Sequence, residues 1–328
     1  MIAFKCTVDA FGQVADAFES TEIGAIPSSL SPEESHLPSA ATPAPRLARP
    51  IVTTLAALSF ALHVAVNFVS PYGVHRDEFL YMAMGRHLQL WRMDFPPLIA
   101  IASEMQRALL GDSLVAIRMV PALAGALLIV LAALLAREMG GGRAAQALAA
   151  LCVLGAPLFM RTAILFQPVV LDELWWTVAL LALARLANGG DRRWWLALGT
   201  ALGLGLLTKF SIGVIAIAVS VAIVLSPLRR ALLTAWPWLA ALLALVIGSP
   251  SIVGQIRLGF PVMRQMSDLQ QAQLSHVTPA AFLGGQAEML GPAVLLAAAG
   301  LAVLLAVPWM RAWRVLGWSC LGALTLLL

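Results

Sequence analysis

The sequence predicts an all-α polytopic membrane protein with about eight or nine transmembrane helices. Two observations predict this class. The chain of 328 residues is 60% hydrophobic and only 12% charged, whereas soluble domains are about 45–50% apolar and about 25% charged. Apolar runs of roughly 17–25 residues also recur after Ile51, and a helix of that length crosses a bilayer. The basic residues are spread in ones and twos between these runs, which excludes a nucleic-acid-binding patch.

Residues 1–50 are predicted to be a disordered cytoplasmic tail, and residues 51–328 the transmembrane domain. The tail is acidic at first and then rich in Pro, Ser and Ala, a composition that does not support a packed core. It has no cationic start followed by an apolar segment, so we do not interpret it as a signal peptide.

The apolar runs define the predicted spans. We place them at about 51–70, 114–136, 144–160, 173–187, 194–208, 211–227, 231–250 and 291–309. A last run, from about 315 to Leu328, falls short of the usual span length, so we expect the C-terminus to be incomplete.

Arginines set the predicted orientation. They occupy alternate connections between the spans, at 46–49, 137–143, 185–193, 229–230 and 311–314. The opposite connections hold most of the acidic residues. The positive-inside rule therefore places the tail in the cytoplasm and two long loops, 71–113 and 251–290, outside.

The spacing of apolar residues in the first outer loop predicts two amphipathic helices that lie at the membrane interface. The first has an apolar face formed by Leu80, Met84, Leu88 and Trp91. The second, which starts near Asp94 and ends near Gly111, has an apolar face formed by Leu98, Ala102, Met105 and Leu109.

Arg76, Asp77 and Glu78 stand at the start of the first of these helices. Adjacent carboxylates at a helix start are favoured by the helix dipole alone, so a structural role for the pair stays open. The alternative is an outward carboxylate at the membrane surface that takes a proton from a hydroxyl acceptor.

The segment YGVHRDEFLYMAMGRHLQLWRMDFPPLIA resembles the first outer loop of glycosyltransferase family 39, the family of bacterial relatives of protein O-mannosyltransferases and of the aminoarabinose transferase. The family's Asp-Glu pair, the aromatic residues after it and its Asp-x-Pro-Pro correspond to Asp77-Glu78, Phe79 with Tyr81, and Asp94-Phe95-Pro96-Pro97. The resemblance continues through residues 206–213 and 248–286 and covers most of the chain after residue 50.

This resemblance implies a type C glycosyltransferase. Its donor would be a sugar on a polyprenyl phosphate, transferred with inversion to a hydroxyl group of a lipid, glycan or protein acceptor. It also implies a multi-pass protein of the bacterial inner membrane with its active site on the periplasmic face. We expect no required cofactor and predict no metal site, although His75 and His87 beside the acidic pair leave a divalent cation open.

The resemblance also implies roles for the acidic residues. Asp77 is at the position of the family's proposed catalytic base, and Glu78 would support it or bind the acceptor. Asp94 would have a structural or acceptor-side role. Asp172 matches an acid of the second outer loop and would bind the acceptor or orient the donor sugar, with simple snorkelling to water as the alternative. Phe79-Leu80 and Phe95 depart from the commoner motif, which leaves the acceptor's identity open.

Basic residues on the outer side are candidates for binding the donor phosphate or the acceptor. Lys209 is the only lysine after the tail and has apolar neighbours, which makes it the first candidate for the donor phosphate. A structural salt bridge to Asp77 or Asp172 is the alternative. Arg76, Arg257 and Arg264 are secondary candidates.

Two other functions remain alternatives: a secondary transporter or channel, and an inactive truncated transferase. A transporter commonly carries internal repeats and charges at mid-membrane depth. This sequence shows no repeat, and its ionisable residues cluster at the outer ends of the spans. Both features favour an enzyme.

Overall fold

The computed structural model describes residues 45–328, which form helices and, within that range, no β-strand. The helices of the first half are α1 (Arg49–Val69), α2 (Arg76–Arg86), α3 (Leu98–Leu110), α4 (Leu114–Glu138), α5 (Arg143–Gly155) and α6 (Pro157–Thr162). Those of the second half are α7 (Pro168–Ala187), α8 (Trp194–Thr208), α9 (Ile212–Leu225), α10 (Ala235–Arg257), α11 (Pro261–Ala272), α12 (Pro279–Leu290), α13 (Ala293–Ala306) and α14 (Arg314–Leu327). The predicted all-α class is confirmed.

Helix length and composition support a polytopic membrane protein. In the described part of the chain, 3 helices (α1, α4 and α10) are long and apolar enough to cross a membrane, or up to 5 if each sharply bent helix pair counts as one span. Helices α5 and α8 are apolar but shorter. The predicted number of eight or nine spans is therefore supported only roughly.

Two of the differences between predicted and observed span boundaries occur at a proline inside the predicted span. The span expected at 144–160 is divided after Gly155, because Pro157 lacks the N–H that would continue the helix and instead starts α6. The span expected to end at residue 250 continues through Pro250 to Arg257. Its last turns pack against the first outer loop, since a Cβ on Gly254 would lie 2.7 Å from the carbonyl oxygen of Met93.

The two predicted interface helices exist, with shifted boundaries. Helix α2 ends at Arg86, so Leu88 and Trp91 lie beyond it, and α3 starts at Leu98 rather than near Asp94. The second half of the stripe predicted for α3 faces away from the protein, with Leu109 78% exposed, whereas Leu98 is half-buried and Ala102 packs against a hydrophobic core cluster. A helix on a membrane surface presents such a stripe to the lipid.

The main hydrophobic core lies where α7, α8, α9 and α14 meet, with α10 against α8. Small residues let α8 and α10 approach closely: a Cβ on Gly203 would lie 2.7 Å from the Cβ of Ile247. The last apolar run of the sequence forms α14, which packs against α9 and buries Val315 and Leu316 in this core.

Residues 45–48 are attached to the arginine-rich end of the bundle. The Ala48 N–H donates to Gln146 Oε1 at 2.8 Å, and Arg137 Nε donates to the carbonyl oxygen of Pro45 at 2.8 Å. These contacts hold the start of α1 against the connection between α4 and α5. Residues 1–44 of the predicted tail lie outside the described residues.

We predict that the loops at 71–113 and 251–290 face the outside. Cysteines introduced singly at the exposed Gln89 and Gln271, in a background without native cysteines, should react with an impermeant thiol reagent in intact cells. Gly142→Cys, in the arginine-rich connection and with no atom within 4 Å of its added Cβ, is the matched control and should react only after permeabilisation. The opposite labelling pattern would reverse the orientation.

Candidate functional site

A buried ion pair between Glu78 and Arg118 lies at the end of the bundle opposite to the arginine-rich connections. The structure exposes 0% of Glu78 and 3% of Arg118. Arg118 binds the carboxylate through two nitrogens: Nε donates to Oε1 at 2.9 Å and Nη2 to Oε2 at 2.8 Å. The backbone N–H groups of Phe166 and His75 donate to the same two oxygens at 2.8 and 2.7 Å. Each Glu78 oxygen therefore accepts two hydrogen bonds.

The remaining donors of Arg118 reach the end of α1 and the loop after it. Nη1 donates to Asn67 Oδ1 at 3.2 Å, and Nη2 donates to the carbonyl oxygen of Gly73 at 3.1 Å. These residues, with Glu78, His75 and Phe166, form what we call the Glu78–Arg118 cluster. The cluster joins α1, α2, α4 and the segment before α7.

Ionisation of Glu78 is fixed by this environment. Burial raises its pKa, but the hydrogen bonds from Arg118, Phe166 and His75 outweigh burial and hold the pKa of Glu78 below its ordinary value. The carboxylate therefore stays charged and has no free lone pair facing solvent. This geometry fits a residue that positions its neighbours better than one that exchanges a proton.

Asp77 occupies the adjacent position on the first turn of α2, with its side chain 32% exposed. Gln167 Nε2 donates to Oδ2 at 3.0 Å, and Arg76 Nε donates to Oδ1 at 3.3 Å. Arg76 is 91% exposed, so its contact is weak in solvent. Asp77 thus keeps acceptor capacity open to a ligand.

Tyr81 lies one turn further along the same face of α2. Burial raises the pKa of its phenol, and the negative charge of Asp77 raises that pKa further. Tyr81 is therefore a neutral, half-buried hydroxyl group close to the exposed carboxylate.

A cavity of about 530 Å³ lies between the loop after α1 and the segment after α6. Its charged and titratable lining consists of Tyr72, His75, Arg76, Arg118 and Arg161, and it includes the chain neighbour of Asp77 but not Asp77 itself. No acidic residue of the described chain lines it. The volume is within the range of about 300–1,000 Å³ that is usual for small-molecule sites.

Asp172 and Lys209 lie near each other at the outer ends of α7 and α8. Asp172 is buried and accepts hydrogen bonds from Trp176 Nε1 at 3.1 Å and from Ser211 Oγ. Lys209 is an exposed residue just after α8, and its charge acts on both Asp172 and Glu173. Within residues 45–328 it forms no ion pair of 4.0 Å or less, so the structural salt bridge to Asp77 or Asp172 is absent.

Gln167 connects these two parts of the site. It directly precedes α7, the helix that carries Asp172 just over one turn from its start, and its side chain holds Asp77. Asp77 and Asp172 are thus tied to the same end of one helix.

Asp94 lies in the turn that precedes α3 and is exposed. Its carboxylate accepts from the N–H of Phe95 at 3.1 Å, and its carbonyl oxygen accepts from Gln255 Nε2 at 2.6 Å. Gln255 Oε1 also accepts from the N–H of Val262 at 3.0 Å, so one amide side chain joins the two long outer loops. These contacts fit the structural part of the role expected for Asp94.

Arg257 and Arg264 are exposed, and no hydrogen bond or ion pair in the described chain joins either one to the acidic residues above. The same part of the chain contains no group of three or more His, Cys, Asp or Glu residues that could hold a metal ion. The dependence on a divalent cation that the sequence left open stays untested.

Two residues of this site, Arg118 and Arg161, were missed in the sequence. Arg118 is a single arginine near the start of a predicted span, and an ionisable residue inside an apolar run is a signal for a buried partner. Arg161 directly follows the span expected at 144–160 and carries no comparable signal.

Comparisons with known proteins agree with this architecture. A family model described as dolichyl-phosphate-mannose-protein mannosyltransferase matches residues 94–253, a range that includes Asp94, Asp172 and Lys209 but not Asp77 or Glu78. No curated protein matches the chain in sequence.

Two solved structures share the fold. ArnT from Cupriavidus metallidurans, bound to undecaprenyl phosphate, matches with a TM-score of 0.62 and 18% identity over 84% of this chain and 59% of that one. The oligosaccharyltransferase of Archaeoglobus fulgidus, in the apo form, matches with a TM-score of 0.51 and 15% identity over 80% of this chain and 38% of that one. The chain therefore spans less than two thirds of both proteins.

These findings confirm the resemblance in sequence over residues 94–253 and in fold over most of the chain, which has the type C glycosyltransferase fold.

We predict that Arg118→Met destabilises the protein by roughly 3–5 kcal/mol, because it leaves the buried carboxylate of Glu78 without its counter-ion. Glu78→Gln should also destabilise the protein. The double variant should lose less stability than the sum of the losses in the two single variants. Unfolding in detergent micelles provides the measurement. Arg107→Met, which breaks the Glu104–Arg107 pair of 2.6 Å at the surface, is the control and should change little.

The pH dependence follows from the lowered pKa of Glu78. Its contribution to stability is complete above the pKa of the unfolded carboxyl group and disappears as the pH falls through the folded value. Glu78→Gln should flatten this part of the acid profile. Additive losses in the double variant, with an unchanged acid profile, would contradict the cluster's structural role.

Proposed function

We propose that this chain is a membrane glycosyltransferase that transfers a sugar from a polyprenyl-phosphate donor to a hydroxyl group at the outer face of the membrane. The observation that carries the proposal is the half-exposed carboxylate of Asp77, held on the first turn of α2 beside the immobile Glu78. The undecaprenyl phosphate in the matched ArnT structure supports a polyprenyl donor.

Asp77 acts as the base in the proposed reaction. It takes the proton of the acceptor hydroxyl as that oxygen attacks the anomeric carbon of the sugar. The bond between the anomeric carbon and the phosphate oxygen breaks, and the polyprenyl phosphate leaves with the electron pair. Attack from the face opposite to the leaving group inverts the anomeric carbon.

Glu78 is assigned to positioning rather than to the chemistry. Its four hydrogen bonds fix the first turn of α2, and Asp77 is its neighbour in the chain. Holding a catalytic group in place in advance is worth much of its rate contribution, because the group need not be ordered during the reaction. Arg118 therefore affects the position of Asp77 only indirectly, by holding Glu78.

Lys209 is assigned to the departing phosphate. It is exposed, has no direct carboxylate partner within residues 45–328, and follows the helix that ends beside Asp172. A cation at this place stabilises the negative charge that develops on the phosphate as the glycosidic bond breaks. Asp172, held by Ser211 and Trp176, orients the donor sugar or the acceptor.

The cavity of about 530 Å³ lined by Arg76, the neighbour of Asp77 in the chain, is assigned to the acceptor. It lies between the loop after α1 and the segment after α6. The positive charges of Arg76 and Arg161 in its lining favour an acceptor that carries an anionic group near its hydroxyl. A lipid, a glycan or a protein fits this description, and Arg257 and Arg264 remain secondary candidates for either substrate.

We predict that Asp77→Asn lowers the transfer rate by about 100-fold or more, because the amide keeps the shape of the side chain but cannot accept the proton. Donor affinity should change little. The assay measures initial transfer of sugar from a panel of polyprenyl-phosphate sugars in membranes. Asp112→Asn, an exposed carboxylate in the same loop at 3.9 Å from Arg86, is the matched control. Near-normal turnover in Asp77→Asn would move the role of base to Asp172.

We predict that Lys209→Met weakens donor binding by about ten-fold or more, whereas Lys209→Arg retains part of it despite the changed geometry. Binding of the polyprenyl-phosphate sugar to the purified protein gives the affinities. Arg86→Met removes one exposed positive charge from the same face and should leave donor affinity unchanged. Equal affinities in wild type and Lys209→Met would remove Lys209 from the phosphate site.

A further inference from the structure

A second cavity lies at the opposite, arginine-rich end of the bundle. Its volume is about 520 Å³, and it opens between the end of α7, the end of α9 and the start of α14. The walls combine apolar and basic side chains: Ala187, Leu225, Leu228, Arg311, Arg314 and Trp318. This end of the helices carries the connections that the positive-inside rule assigns to the cytoplasm.

The two arginines of this cavity lack counter-ions. Neither Arg311 nor Arg314 forms an ion pair of 4.0 Å or less in the described part of the chain. The Nε of Arg314 is buried there without any hydrogen-bond partner. A buried donor without a partner costs free energy, and a bound acceptor would recover it.

The nearby acidic residues do not neutralise this charge. Glu138 is paired with Arg185 at 2.8 Å, and Asp191 accepts a hydrogen bond from the N–H of Arg193 in its own turn. Within residues 45–328, these two carboxylates are the acidic residues of the arginine-rich connections. Within residues 45–328, the lining of the cavity is therefore positive, and the two carboxylates of the arginine-rich connections are engaged elsewhere.

Trp318 indicates how deep in the membrane the cavity lies. It lines the cavity and is 40% exposed, and tryptophan favours the boundary between hydrocarbon and headgroups. A cavity at this depth meets phosphate groups of lipids, with acyl chains directly below them. Basic pockets between transmembrane helices on the cytoplasmic side commonly bind lipid headgroups.

We infer that this cavity binds the phosphate group of an anionic phospholipid in the leaflet opposite to the proposed active site. Arg311 and Arg314 contact the phosphate, and Leu225, Leu228 and Trp318 contact the upper part of the acyl chains. The site lies at the other end of the bundle from Asp77, so it stands independently of the proposed transferase activity.

The test is lipid binding to the purified protein in detergent, followed by native mass spectrometry during titration with phosphatidylglycerol or phosphatidylcholine. Phosphatidylglycerol should bind more tightly, and Arg311→Gln with Arg314→Gln should weaken it by about ten-fold or more. The matched control is Arg229→Gln with Arg230→Gln, which removes the same charge from exposed residues of the same face. This control should stay within about two-fold of wild type.

Three outcomes would overturn the inference. Equal losses of phosphatidylglycerol affinity in the two double variants would indicate a general attraction of the lipid to basic residues. Unchanged affinity in both double variants would show that the cavity is not the binding site. Displacement of phosphatidylglycerol by millimolar inorganic phosphate, with tight binding of that ion alone, would make the occupant a free phosphate. If Arg314→Gln does not fold, the exposed Arg311→Gln alone decides, with a loss of a few-fold expected and no loss contradicting the site.

Discussion

The ion pair between Glu78 and Arg118 is the constraint on which the half of the structure around α2 depends. Removing two charges from water costs several kcal/mol per ion, and attraction between the ions offsets this only when the remaining donors and acceptors are also satisfied. Here six hydrogen bonds meet that condition. The geometry of the segments that supply those bonds is therefore fixed jointly, since moving any one of them leaves a buried charge without a partner.

A buried ion pair contributes more to the orientation of a helix than to the stability of the protein. Apolar residues of similar volume commonly stabilise a protein as much as a buried ion pair does, but they define the direction of a helix less strictly. Helix α2 has a weak apolar face toward the protein: its fully buried residues are Glu78 and Gly85. The helix is held by its capping interactions at His75 and by Arg118, which fixes the position of Asp77 relative to the bundle.

The sequence predicted the elements of this structure better than the contacts between them. Composition and apolar runs were sufficient for the all-α membrane class, and the motif around Asp77 and Glu78 supplied the candidate site. Periodicity could not show that Leu88 and Trp91 follow the end of α2, because the loop after Arg86 is shaped by packing against other elements. The two prolines had opposite effects: the helix ends before Pro157 but continues through Pro250. Tertiary packing decides whether a helix tolerates a proline.

Long-range polar contacts account for what the sequence could not predict. Arg118 is 40 residues from Glu78, and Gln255 is 161 residues from the Asp94 carbonyl it binds, so neither pairing leaves a local pattern. Both contacts nevertheless contribute to the geometry of the site, because each one joins a long loop to an element that is distant in the chain. A water-exposed loop at the end of a helical bundle can be held by buried polar groups only if each group is fully bonded. Each side-chain nitrogen of Arg118, both oxygens of Glu78 and both polar atoms of the Gln255 amide have a partner, whereas within residues 45–328 the Nε of Arg314 at the opposite end has none. The two ends of the bundle therefore differ: the buried polar atoms around Glu78 are satisfied within the described chain, and the buried donor of Arg314 is not.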